Sequence, residues 1–193
     1  MPADPSARFI YLVRSGRDAC VSFYHHLSHQ AEADGGFDGS FDEFVEKWCA
    51  GEIAYGSWPA HLKSWVSGSP GTLLAGRDER VLVLSYEALK ADLRGSCARI
   101  ARHLGVDIDD ASLDAILPRL SFESMKARIE CFQPKSVEWR RKGDNDDFEF
   151  IRKGSVGDSK SLFGPAHDAA FDAMVADAWP SGVRPESLRR FVL

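Results

Sequence analysis

Hydrophobic positions along the chain fall into two kinds of pattern. Phe9-Ile10-Tyr11-Leu12-Val13 is a short continuous apolar run rich in β-formers. Such a run reads as a strand covered on both faces, as in a parallel sheet. It stops at Arg14-Ser15-Gly16-Arg17-Asp18, and a helical period takes over from Ala19 to about Gln30. There Val21, Tyr24 and Ser28 share a face, with Cys20, Phe23 and Leu27 beside it. Ser15 followed by Asp18 resembles a capping box with an acid shorter than the preferred Glu. After a polar, Gly-containing loop at 31–40, Ser40 and Glu43 form a better capping box. Phe41, Phe44, Val45 and Trp48 then recur at helical spacing, and Gly51 is a stop signal. A further helix starts near Trp58-Pro59 and runs through Leu62 and Trp65, and residues 67–79 read as loop.

The second apolar run, Val81-Leu82-Val83-Leu84, leads into Ser85-Tyr86-Glu87. Helices follow at about 87–91 and 93–104, the latter with Leu93, Cys97, Ile100, Ala101 and Leu104 on one face and Gly105 after its end. Weaker helical patterns cover 111–117 and 121–127. Residues 132–149 carry no apolar periodicity and read as a mobile loop. Pro165 opens a last helix that runs to about Trp179. Strands embedded among many helices predict an α/β fold with a three-layer arrangement and a parallel central sheet. Two parallel strands make a poor sheet by themselves, since several are the norm. Gly71–Ala75 is a possible weak third strand. The expectation is a sheet whose leading strands precede residue 1, so a fold that is incomplete at its N-terminus. A length of 193 residues predicts a single domain, 1–193.

Composition narrows the function classes. The chain has 24 Lys and Arg against 29 Asp and Glu, a formal charge of −5. A net acidic chain is poorly suited to nucleic acid, whose binding is driven by phosphate neutralisation. Any anion must therefore be held by a local cluster. Cys20, Cys49, Cys97 and Cys131 are widely spaced, which fits no zinc or thioredoxin pattern. No metal site is expected, and the thiols read as reduced. No secretory signal and no membrane-length apolar run occurs, so the expected location is cytoplasmic, with no membrane partner.

Two segments carry anion chemistry. Arg14 ends the first strand, where ligands bind in open α/β sheets, and the helix that follows offers N–H groups. Ser22, seven residues after Ser15, can share that face and grip the same phosphate as Arg14. Read alone, the pair also fits an Arg bound to a nearby acid and a helix-interior Ser. The second segment is Phe150-Ile151-Arg152-Lys153-Gly154-Ser155-Val156-Gly157-Asp158. Two adjacent cations before a Gly make a turn that can wrap an anion. Read alone, it also fits a surface charge cluster. A second copy, Arg141-Lys142-Gly143, sits among acids and reads as a solvated loop.

Five segments in order resemble the cytosolic sulfotransferases that use 3′-phosphoadenosine 5′-phosphosulfate (PAPS), over about residues 8–175. Tyr11-Leu12-Val13-Arg14 to Asp18, with Val21-Ser22-Phe23-Tyr24-His25, resembles the family's 3′-phosphate strand and helix. Tyr55-Gly56-Ser57-Trp58, with His61, Lys63 and Trp65, resembles its substrate-side segment. Ser85-Tyr86-Glu87 and Leu120-Ser121-Phe122-Glu123-Ser124-Met125-Lys126 resemble nucleotide-contacting turns. Phe150–Asp158, with Lys160 and Phe163, resembles the RKGxxGDWKxxF signature. The resemblance implies a P-loop-NTPase-like fold. It implies that Arg14 and Ser22 bind the 3′-phosphate, with Arg152, Lys153 and Gly154 closing on it, and that Tyr86, Ser121 and Phe122 surround the adenosine.

Sulfuryl transfer from PAPS to the hydroxyl or amine of a small acceptor (phenol, alcohol or steroid-like) is the implied reaction, with 3′,5′-bisphosphoadenosine (PAP) as product and no metal required. The family's Lys-bearing phosphosulfate loop and catalytic His would fall before Met1, so no catalytic residue is assigned and the chain alone is expected to lack turnover. His25 and His26 read as ordinary helix residues, and His61 as a possible lining of an acceptor cavity. Ser159 replaces the signature's Trp. Gly164-Pro165 and Ala169 depart from the family's dimerisation segment, which argues against that dimer. The alternatives are a non-catalytic PAP-binding remnant and a P-loop kinase-like fragment preferring ATP.

Overall fold

The structure, a computed structural model, describes residue 4 and residues 6–66, 79–140 and 148–179. The possible strand at Gly71–Ala75 and the basic copy Arg141-Lys142-Gly143 lie outside the described residues. Along the chain, strand β1 (Phe9–Val13) precedes helices α1 (Gly16–Leu27), α2 (Phe41–Ala50) and α3 (Trp58–Val66). Strand β2 (Val81–Ser85) is followed by α4 (Tyr86–Ala91), α5 (Leu93–Leu104), α6 (Asp110–Ile116), α7 (Phe122–Lys126) and α8 (Pro165–Ala178). Contacts group these elements into two compact units: residues 1–16, 58–118 and 175–193 form one, and residues 17–57 and 119–174 the other.

In the first unit, β1 and β2 pair in parallel from Phe9 opposite Val81 to Val13 opposite Ser85. Strand alternation sends Tyr11 and Val13 inward, where both are buried. Ile10 and Leu12 take the other face and stay 41% and 51% exposed. The expectation of a strand covered on both faces is therefore corrected: only one face of β1 is covered. An apolar run shows that a strand forms but not how many layers cover it. Tyr11 stacks on Trp65 of α3 with ring centroids 4.5 Å apart, and its hydroxyl lies 3.2 Å from His61 Nδ1. His103 of α5 reaches the Phe9 carbonyl at 3.0 Å. Polar residues stop and start the helices here. Ser85 caps α4, Asp92 caps α5 and Asp109 caps α6 through side-chain acceptors. Arg94 then joins α5 to α6 with bonds of 2.7 Å to both Asp110 and Asp114.

The second unit is built on aromatic packing. The Ser40–Glu43 capping box is present, and α2 buries Phe44, Val45 and Trp48. Tyr24 of α1 meets Phe37, Phe41 and Phe44 edge-on at 5.2–6.4 Å. Helix α8 joins this core through Phe171, which is 1% exposed and lies under the Arg17 guanidinium at 4.4 Å. Arg17 also donates to Asp168 at 2.7 Å and to Asp172 at 2.9 Å.

Two sequence expectations change. Helix α1 starts at Gly16, and the Ser15 amide donates to Glu87 Oε1 at 2.9 Å. Asp18 is not the partner in a local capping box; it accepts bonds from a distant turn described below. Among the described residues of the loop assigned to 132–149, pairing sets the path: Gln30 and Trp139 form an antiparallel bridge, with Ala31 N to Glu138 O at 2.9 Å and Arg140 N to His29 O at 2.7 Å. Trp139 stacks on Phe148 and Phe148 on His29, at 5.2 and 4.4 Å. Non-local ring stacking leaves no periodic trace, which is why the segment looked unstructured. Among the described residues no helix is long and apolar enough to cross a membrane, and the four cysteines are free.

Candidate functional site

In the first unit, the strand-to-helix turn after β1 brings two of the predicted residues together. Arg14 leaves the carboxyl end of β1, and its guanidinium lies over the ring of Tyr86 at 4.7 Å. Tyr86 is the first residue of α4, set by the Ser85 cap directly after β2. The parallel register carries both strand ends to the same edge, so the cation and the ring meet there. Trp58 Nε1 donates to the Arg14 carbonyl at 3.3 Å. A flat guanidinium on a phenol face is a cation–π arrangement.

The second unit holds the larger cluster. Asp18, Ser22, His25 and His26 fall at helical spacings of four, seven and eight residues, so they form one polar stripe on α1, and His29 follows just beyond its end. The segment 148–159 runs along that stripe. At one end Asp18 accepts from the amides of Gly157 and Ser159. At the other, His26 meets the Phe150 ring at 5.0 Å and His29 stacks on Phe148 at 4.4 Å. Ser22 lies between these contacts along α1.

The stretch 151–156 is a turn with little freedom. Gly154 adopts φ +60°, and a Cβ placed there would stand 2.3 Å from Phe122 Cδ2. Only glycine allows both the backbone conformation and the approach of the ring. Phe122 is in turn the first residue of α7, whose N-terminus is capped by Ser121 through a 3.1 Å bond from Ser124 N. Lys126 at the end of α7 pairs with Glu149 at 2.5 Å, tying the helix to the turn's entry. Arg152 and Lys153 both bind Asp158, the former to Oδ2 and the latter to Oδ1 at 2.9 Å. Two cations on one carboxylate leave this trio with one positive charge in excess.

Electrostatics follow the burial. Desolvation raises the Asp158 carboxyl, but the bonds from Lys153 and Arg152 outweigh it and hold it below the usual carboxylate range. Burial, reinforced by the Arg152 cation, pushes His25 down to about 4 and lowers His26 as well. Both imidazoles are thus neutral at pH 7 and add no charge to the turn. His61 of α3 is lowered by burial too, and its ring pairs with Tyr11 of β1. Among the described residues no group of three or more His, Cys, Asp or Glu could hold a metal ion.

The sequence profile described as "Sulfotransferase domain" matches residues 2–184. The chain belongs to the sulfotransferase domain family. Mouse sulfotransferase 2B1 is 33% identical over 171 residues, which cover 87% of this chain and 46% of the relative. Human sulfotransferase 1E1 is 34% identical over 173 residues, covering 88% of this chain and 54% of the relative. The chain thus spans about half the length of these curated relatives. Among solved structures, mouse sulfotransferase SULT7A1 complexed with PAP superposes with a TM-score of 0.73 at 26% identity, covering 95% of this chain and 60% of that one. Retinol dehydratase in complex with androsterone and inactive cofactor PAP shares the fold, with a TM-score of 0.68 at 24% identity and coverage of 93% and 50%. The α/β class and the parallel strand pair read from the sequence are those of the sulfotransferase fold.

Within the sulfotransferase chain, each unit gathers part of the predicted set. Arg14 and Tyr86 are in contact in one. In the other, Gly154 meets Phe122, Ser121 caps the helix that Phe122 opens, Arg152 and Lys153 share Asp158, and Ser22 lies on α1 of the same unit. Asp18, which by sequence reads as a local helix cap, and Asp158 of the signature carry no binding role in the sequence. The polar stripe on α1 was the available signal, since polar residues recur there at helical spacing. An apolar-face criterion passes over such a stripe.

Proposed function

We propose that this chain, acting as one sulfotransferase domain, supplies the 3′-phosphate and adenosine part of a PAPS-binding site. The observation that carries this reading is the signature turn, where Arg152 and Lys153 share one carboxylate on a backbone that admits no side chain at residue 154. A phosphate dianion offers such a trio more negative charge than Asp158 alone, and Arg152 brings a planar fork suited to phosphate oxygens. Ser22 adds a hydroxyl from the α1 stripe, and Gly154 a close-approaching amide. Phe122, with Ser121 fixing its helix, offers an aromatic face to the adenine, and Tyr86 is assigned to the adenosine only by its place in the family motif. Arg14 is assigned to the same phosphate by its place in the family motif. The PAP-bound mouse relative supports the choice of nucleotide.

Bound PAPS supplies a transferable sulfuryl group, and the acceptor is the hydroxyl or amine of a small molecule. The residues of this chain bind the donor, orient it and counter its charge. Calorimetry with PAP, 5′-AMP and ATP tests the reading. PAP is expected to bind at least about tenfold tighter than 5′-AMP, which lacks the 3′-phosphate, because charge-assisted bonds contribute roughly 1.5–3 kcal/mol each. Arg152→Ala should erase most of that difference. Equal affinity for PAP and 5′-AMP would reject the 3′-phosphate site, and a preference for ATP would favour a kinase-like nucleotide pocket instead.

A further inference from the structure

We propose that Asp18 is a positioning residue for the anion-binding turn, acting on Arg152 and Lys153 through Asp158. The proposal rests on the nucleotide reading above and adds a residue that the reading does not use. Asp18 is 2% exposed, close to the start of α1. Its Oδ2 accepts from Gly157 N at 2.7 Å and its Oδ1 from Ser159 N at 2.9 Å. The two bonds close on the amides either side of one residue, Asp158. Gly157 stands at φ +80° and opens the short 3-10 turn Asp158–Ser161, a conformation that favours glycine and presents these amides together. The Asp158 backbone is therefore pinned on both sides by a buried carboxylate. Its own carboxylate, 8% exposed, is free to serve only the cations.

The chain of contacts runs from a helix side chain to two amides, from the pinned residue to its carboxylate, and from there to both cations. Each link is short, and all but the exposed Lys153 bond are at least partly buried, so geometry is transmitted to Arg152 with little slack. Bonds from N–H groups to an ionised acceptor are among the stronger ones, and a buried amide left without a partner costs stability. Asn at position 18 would keep one acceptor and aim an NH₂ donor at the other amide. One of the two pins would then become a donor facing a donor. Asp158 would lose its fixed place, and Arg152 and Lys153 would lose the template that holds them side by side.

The consequence is selective. A positioning role predicts loss of the affinity that depends on the 3′-phosphate, while binding of the adenosine part persists. The experiment compares PAP with 5′-AMP by calorimetry on the wild type and on Asp18→Asn, with Asp18→Ser as a second variant that keeps one small acceptor. In the wild type PAP should exceed 5′-AMP; in Asp18→Asn that ratio should fall about tenfold, the effect of about 1.4 kcal/mol lost from charge-assisted contacts. Asp18→Ser should fall between the two. Equal losses for both nucleotides would mark Asp18 as merely structural and overturn the proposal, as would an unchanged ratio. Should neither variant reach the wild-type circular dichroism spectrum, Asp18 is a folding residue and the proposal also fails. A wild type with no preference for PAP would instead reject the underlying nucleotide reading, a result visible before any variant is made.

Discussion

Gly154→Ala puts a single methyl group into the tightest place in the signature turn. At φ +60° an L-residue pays about 1–2 kcal/mol for the left-handed conformation. The new Cβ would lie 2.3 Å from Phe122 Cδ2 and 2.5 Å from Cε2. Carbon atoms prefer about 3.5–4.0 Å, so the ring or the turn must retreat by roughly 1 Å. Overpacking of this kind costs about 1–3 kcal/mol. The sum is about 2–5 kcal/mol, and each kcal/mol moves the melting temperature by about 2–4 °C in a chain of this size. Thermal melts followed by circular dichroism read the stability term, and PAP titration reads the binding term. The double variant Phe122→Ala with Gly154→Ala separates the two causes. Removing the ring makes room for the methyl group but leaves φ unchanged, so the pair should be less damaging than the sum of the single changes by about 1–3 kcal/mol. A Gly154→Ala protein that melts within about 1 °C of wild type and binds PAP equally well would refute the argument. Strict additivity of the double variant would show that the ring is not what the methyl group meets.

Two further outcomes follow from the same unit. His25 titrates at about 4 in the folded chain against an ordinary 6.5, so the unfolded chain binds more protons between those values. Stability should be full above about pH 6.5, fall as the pH drops towards 4, and then stop falling on this account. Urea midpoints of His25→Gln should show a shallower slope in that window, with a residual slope from His26, which is lowered by the same causes; an unchanged slope would exclude His25. Arg17→Ala removes a fork to Asp168 and Asp172, both substantially exposed, and the cation over the buried Phe171 ring. The expected loss is about 1–2 kcal/mol, mostly packing and cation–π, and therefore only weakly reduced by 1 M salt. Arg17→Lys should recover less than half of it in urea denaturation, and full recovery would show that charge alone matters.

Elements with local causes were legible in the chain itself. The Ser40–Glu43 box, the glycines after α2 and α5, the apolar run of β2 and the proline opening α8 each act within a few residues, and each stands where expected. The five motifs were legible too, because residue identity and order suffice to mark them. Non-local geometry was not. Ile10 and Leu12 looked as buried as Tyr11 and Val13, since an apolar letter says nothing about whether a second layer covers it. Trp139 and Phe148 looked like loop residues because stacking partners far apart in sequence carry no period.

The same division holds at the site. Sequence determined the cations, the glycines and the ring-bearing helix start, since these are chemical identities that no packing can alter. Tertiary structure decided what they do to one another. It set Phe122 against Gly154, gave Arg152 and Lys153 a common carboxylate, and turned Asp18 from its own helix end to amides 139 and 141 residues away. A carboxylate near a helix start can serve the local amides or distant ones at similar bond length. Only the folded chain, by burying one set of amides beside it, makes that choice.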